Sequence, residues 1–119
     1  MNRRMTSLLS LAMKAGKMVT GEQACELALR QKTACLVIVA ADASENTRSK
    51  FVNKCFYYKK PVAVYGSKEE LSRPIGKENR AVLALTDANF AARLQELMGA
   101  SREIDENVES EPGKETLER

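Results

Sequence analysis

The strongest constraint on the fold is a pair of short, uninterrupted apolar runs, CLVIVAA at residues 35–41 and AVLAL at residues 81–85. Neither alternates with polar residues, so neither can lie with one face in water. Each reads as a strand covered on both faces. PVAVYG, residues 61–66, supplies a third strand. Covering both faces of such a sheet needs helices on both sides, and the intervening segments carry the helical period.

Met5, Leu8, Leu9, Ala12 and Ala15 recur at helical spacing over residues 3–15, and Gly16 supplies the stop. Thr20, three residues ahead of Gln23, predicts a capping box that opens a second helix reaching about residue 31. Residues 44–58 predict a third helix with Phe51, Val52, Cys55 and Phe56 on its inner stripe. SKEEL begins a short helix near Lys68, and residues 87–98 close the chain's core with Phe90, Leu94, Leu97 and Met98 facing inward. Helices alternating with buried strands predict an α/β fold, a three-layer α/β/α sandwich. No internal repeat is visible.

The length of 119 residues, 44% of them hydrophobic, suits one domain with a real core. Charge divides the chain unevenly. Residues 101–119 carry seven acidic and three basic side chains, a net of −4, which leaves 16 basic and 9 acidic ones, +7, in residues 1–100. The expected organisation is a domain over residues 1–99 and an acidic disordered tail over residues 100–119, too polar to offset its ordering entropy. That tail either screens the basic body or simply keeps it soluble. A body at +7 attracts polyanions, because each neutralised phosphate releases condensed counterions.

Several classes of function lose support. No apolar run approaches bilayer length, and MNRRMTSLLSLAMKAGK is interrupted by Lys14 and has no clear cleavage site. It reads as the first helix of a cytoplasmic protein, with an amphipathic presequence as the alternative. Cys25, Cys35 and Cys55 are odd in number and never paired as C-x-x-C, so they read as small buried hydrophobes rather than zinc ligands or disulfides. Histidine is absent, and the six glycines form neither standard phosphate cradle. Asp42 and Ser44, just past a core strand, read as caps of the third helix. No catalytic residue, metal or cofactor is expected.

The second helix carries the most informative surface. At about 100° per residue, Cys25, Ala28 and Leu29 share one stripe, while Leu27 lies about 200° from Cys25 with Gln23 and Ala24 beside it. These three flank the helix N-terminus, whose free N–H groups and positive dipole end favour a phosphate. Lys14 and Lys17 lie just upstream in the sequence, in the expected approach to this corner. Together with Arg30, Lys32 and Arg80 they are expected to supply long-range attraction.

Four stretches, LLSLAMKAGKMVTGE, CLVIVAADASENT, EELSRPIGKENR and AVLALTDANFA, resemble the kink-turn RNA-binding superfamily of small ribosomal proteins, L-seven-Ae and L-thirty-e, in particular its bacterial YlxQ-like branch. They run in the family's order and cover nearly all of residues 3–98. The resemblance implies an α/β/α sandwich with a small mixed sheet, no enzymatic activity, and a monomer that binds structured RNA, ribosomal RNA among the candidates. Carried over by position, it implies RNA contacts at Gly21, Glu22, Gln23, Ala24 and Leu27, and at Ile75, Gly76 and Lys77 in the loop before the last core strand. Ile75 is expected to pack on an unstacked base. Ala24 and Leu27 depart from the polar residue and the lysine usual at those positions, and Ser72 stands where glycine is common. Two readings therefore stay open: an RNA-binding protein of translation, or a protein-interaction adaptor that keeps the fold and uses an apolar Leu27.

Overall fold

The computed structural model describes residues 1–102. In chain order the elements are α1 (Arg3–Lys14), β1 (Met18–Thr20), α2 (Glu22–Arg30), β2 (Leu36–Val39), α3 (Glu45–Tyr58), β3 (Val62–Val64), α4 (Lys68–Ser72), a 3-10 turn (Arg73–Ile75), β4 (Val82–Leu85) and α5 (Ala88–Arg102). The four strands form one mixed sheet in the order β1-β4-β2-β3. β2 pairs parallel with β3, whereas β4 runs antiparallel to both β1 and β2. Helices α2 and α3 pack on one face; α1, α4 and α5 cover the other. The three layers follow from the sequence as expected.

The two apolar runs occupy the centre of the sheet. Every residue of β2 and β4 is buried, which is why neither run shows the alternation of a half-exposed strand. β3 is an edge strand, with Val64 exposed, and it is entered through Lys59, Lys60 and Pro61, residue types that discourage a further strand from pairing there. Met5, Leu9, Phe51, Leu71 and Leu94 fill the two helix–sheet layers at full burial. Phe90 and Leu97 are only partly buried, and Ala91 joins Leu94 and Met98 on the inner face of α5.

Four local expectations are corrected. First, MVT forms a strand, β1, that three residues cannot announce by periodicity; its partner β4 holds it, with Thr20 opposite Leu83. Second, this pairing keeps Thr20 in the ladder, so no capping box forms and Gly21 becomes the N-cap of α2 with no side-chain cap bond. Third, α3 is turned so that Phe51 and Cys55 are buried while Val52 and Phe56 face solvent, Phe56 at 86% exposure. Lys50 fixes that rotation by bonding Glu22 and Glu26 of α2 at 2.8 Å each. Fourth, Ser44 does cap α3, its hydroxyl accepting the Thr47 N–H, but the Asp42 carboxylate accepts the Lys68 N–H at the start of α4 instead.

At the chain's end, α5 runs through Arg102, three residues into the expected tail, and the remainder of that tail lies outside the described residues. Burial pushes the Cys25 thiol up to about 12 and that of Cys55 up to about 11, as befits hydrophobic packing. Cys35 is partly exposed. In the native protein at pH 8, Cys35 should react with a thiol reagent well before Cys25 and Cys55, which should wait for unfolding.

The rotation of α3 has a direct thermodynamic consequence. Phe51→Ala should lose about 3–5 kcal/mol of unfolding free energy in a urea titration, the usual cost of emptying a core aromatic site. Phe56→Ala should stay within about 0.5 kcal/mol of the parent.

A candidate recognition corner at the start of α2

Because β4 runs against its neighbours, the C-terminal ends of β1, β2 and β3 and the N-terminal end of β4 meet at one end of the sheet. The starts of α2, α3 and α4 gather there. At Gly21 the chain leaves β1 with φ of +92°, outside the range that side-chain-bearing residues favour. Its N–H donates to Val82 O at 2.9 Å, and its carbonyl accepts the first helical bond from Cys25 at 3.0 Å. The amides of Glu22, Gln23 and Ala24 are thus left without acceptors in the helix, aimed outward at its positive end.

Arg80 completes the corner. Its guanidinium Nη1 lies 3.8 Å from the position a Gly21 Cβ would take, and its Nε is buried with no hydrogen-bond partner in the described structure. A cation beside three free amides is a donor set for an anion. The loop leading to Arg80 is held by Ser72, a buried residue whose hydroxyl accepts the Arg80 N–H at 2.7 Å and whose carbonyl accepts the Lys77 N–H at 3.1 Å. Gly76 and Asn79 turn this loop with positive φ. Nothing in the sequence marks Ser72 for this role, because its partner is eight residues away across a loop.

Glu22 faces away from the anion site. Its carboxylate accepts from Lys50 Nζ at 2.8 Å and from the Thr47 hydroxyl at 3.0 Å, and Thr47 in turn accepts from Ser44. The hydrogen bond from Lys50 holds the Glu22 carboxyl below its ordinary value of 4.5, and does the same for Glu26. Lys50 is correspondingly pushed up to about 12 by those two bonds. This chain of five side chains braces α2 against α3. Its members are too distant in sequence for any local pattern to reveal them.

The other expected contacts divide into two groups. Gln23 and Leu27 are exposed, Leu27 at 42%, with Ala24 partly so, and Gly76 and Lys77 reach the surface of the facing loop. Ile75 does not join them: the 3-10 turn directs it into the core at 7% exposure, so it is unavailable to stack on a base. Lys14 and Lys17 are also displaced from the corner. β1 carries the chain from Lys17 to Gly21, about 13 Å at ~3.3 Å per residue, toward the opposite end of the sheet. Arg30 is the last residue of α2 and Lys32 lies just past it, so Arg30 stands nine residues and about 13 Å from the Gly21 cap.

Residues 3–95 match the profile of the ribosomal protein L7Ae/L30e/S12e/Gadd45 family. The chain belongs to this family. It is 45% identical over 91 residues to the RNA-binding protein YlxQ of Bacillus subtilis strain 168, covering 76% of this chain and 91% of that protein. The Enterococcus faecium RNA-binding protein YlxQ is 41% identical over 92 residues, 77% of this chain and 88% of the relative. Among solved structures, a Bacillus halodurans protein of unknown function superposes with a TM-score of 0.78 at 37% identity, covering 82% of this chain and 98% of that one. A Giardia lamblia 15.5kD RNA binding protein shares the fold, with a TM-score of 0.68 at 20% identity over 84% of this chain and 92% of its own. The L7Ae-family fold is thus the frame in which the corner sits.

The brace beneath the corner should titrate. Carboxyls held low in the folded state add stability above their unfolded value near 4.5, and that stability disappears as pH falls through the lowered folded values. Lys50→Met removes the partner. The stability difference between parent and Lys50→Met, measured by urea unfolding, should be largest near pH 7 and shrink as pH falls below 4.5 through the lowered folded values.

Proposed function

We propose that this chain is a non-catalytic RNA-binding protein that recognises a sharply bent, kink-turn type of structured RNA at the α2 corner and acts in association with translation. The carrying observation is the Arg80 guanidinium beside the uncapped amides of Glu22, Gln23 and Ala24. A backbone phosphate held there neutralises Arg80, satisfies the helix end and sets the register of the RNA. Gln23 then offers both a donor and an acceptor to base edges in the kinked groove, and Lys77 reaches a second phosphate from the facing loop. Names of the relatives support the RNA reading, since both YlxQ proteins are described as RNA-binding.

Leu27 tunes this reading. Exposed on the outer face of α2, it covers RNA without neutralising charge, so binding at the corner is weaker at low salt than a lysine would make it. The same exposed leucine favours the second reading, an adaptor that docks a protein through Ala24 and Leu27.

A kink-turn RNA and a control with its sheared G·A pairs replaced by Watson–Crick pairs, titrated across a salt series, separate these readings. The kink-turn should bind more tightly, and Lys77→Gln should lower the slope of log K against log salt by about 0.7–0.9, one phosphate contact. Leu27→Lys should strengthen kink-turn binding several-fold at low salt and steepen that slope by a similar amount. Absence of binding to either RNA at low salt would instead favour the adaptor.

A further inference from the structure

The body's excess positive charge does not sit at the corner. Around the Gly21 end, Glu22, Asp42, Glu45 and Glu78 alternate with Arg48, Lys68, Lys77 and Arg80, close to balance. At the opposite end the topology collects the C-termini of α1, α2 and α3, because β1, β2 and β3 are parallel and each helix runs back against them. Three backbone hydrogen bonds tie these segments into one surface: Thr86 N–H to Lys17 O, Cys35 N–H to Leu85 O, and Val37 N–H to Pro61 O.

That surface carries Lys14, Lys17, Arg30, Lys32, Lys59 and Lys60. None forms an ion pair among the described residues. Among the described residues, the acids beside it are already engaged, Asp87 by the N–H groups of Asn89 and Phe90 and Glu26 by Lys50.

Helix dipoles account for a cation at each of three C-termini. They do not account for the aromatic residues placed among the cations. Phe56 and Tyr57, in the last turn of α3, are 86% and 76% exposed, and the Tyr57 ring stands edge-on to Tyr58 with centroids 4.9 Å apart. Tyr58 is partly buried, which gives Tyr57 a fixed backing. Lys50 bonds Glu22 and Glu26 across the α2–α3 interface, and the same facing stripes continue to Tyr57, two turns beyond Lys50, and to Arg30, one turn beyond Glu26. Exposed rings among basic side chains suit unstacked bases with their phosphates.

We propose that this end of the domain is a second RNA-binding surface, in which Phe56 and Tyr57 stack on bases of a single-stranded segment while Arg30, Lys32, Lys59 and Lys60 hold its phosphates. The segment is the strand flanking the structured element seated at the corner, and the proposal rests on RNA being the partner there. Gln23, Leu27 and Arg30 fall on one exposed stripe of α2, so that face leads from the corner to this surface over about 13 Å. The domain then reads shape at one end of its sheet and captures an adjoining strand at the other.

The test compares three RNAs with the full chain: a blunt kink-turn hairpin, the same hairpin with a single-stranded extension of about 12 nucleotides, and that extension alone. Two double variants, Phe56→Ala with Tyr57→Ala and Arg30→Gln with Lys60→Gln, probe the surface. Lys32 and Lys59 are left intact because both sit at positive φ. Melting temperatures near the parent's establish that the variants are folded.

The extension should tighten binding to the parent on the order of tenfold, and the aromatic variant should erase that gain without changing affinity for the blunt hairpin. The charge variant should flatten the salt slope of the extension alone by about 0.7 per removed cation. A gain that is absent in the parent, or that survives both double variants, overturns the second surface and leaves the corner untouched. Binding of the extension alone that depends on these residues, with no preference for the kink-turn, keeps the second surface and sinks the corner. No binding to any of the three RNAs overturns both.

Discussion

The antiparallel insertion of β4 between β1 and β2 is the constraint on which the corner depends. Had the last strand run parallel to its neighbours, Arg80 would enter the sheet at the far end, remote from the start of α2. Instead its direction brings the loop before β4 back to Gly21, whose N–H is received by Val82. The same pairing holds Thr20 in the ladder and hands the cap position to a glycine. An uncapped helix N-terminus beside an arginine is therefore a product of strand order more than of helix chemistry.

The layered fold was legible because β2 and β4 are buried on both faces, and their continuous apolar runs admit few alternatives. The core stripe of α2 followed from the helical period, and that of α5 in part, since Leu94 and Met98 are buried but Ala91 takes the inner place expected of Phe90 and Leu97. What escaped local reading depended on distant partners. β1 is too short to show a period, the turn of α3 is set by Lys50 reaching across to α2, and Ile75 is buried by a 3-10 turn that no local pattern announces. At the corner, the outer positions Gln23 and Leu27 were recoverable from helix geometry alone. Ser72 and the Glu22 brace were not, and Lys14 and Lys17, adjacent in sequence, lie a full strand away in space.

Charge and packing are sorted differently across the molecule. Around the corner, carboxylates and cations are interleaved, so what distinguishes it is geometry: free amides, a fixed arginine and one polar side chain. At the opposite end stand exposed rings and cations that form no ion pair among the described residues. A rigid sheet separates the two, and its central strands, fully buried, allow no slippage of register between them.

The brace through Ser44, Thr47, Glu22, Lys50 and Glu26 ties the first turns of α3 to the start of α2. Lys50 holds the Glu22 carboxylate turned away from the amides beside it. Without that lysine, an unpaired negative charge would stand beside the open amides of the helix N-terminus. Glu22 and Lys50 thus act as one electrostatic unit although they stand 28 residues apart in the chain. Among descendants of a common ancestor, a lineage that loses the lysine is expected to neutralise the acid as well, and the paired change would record selection for an uncharged surround to the open helix end.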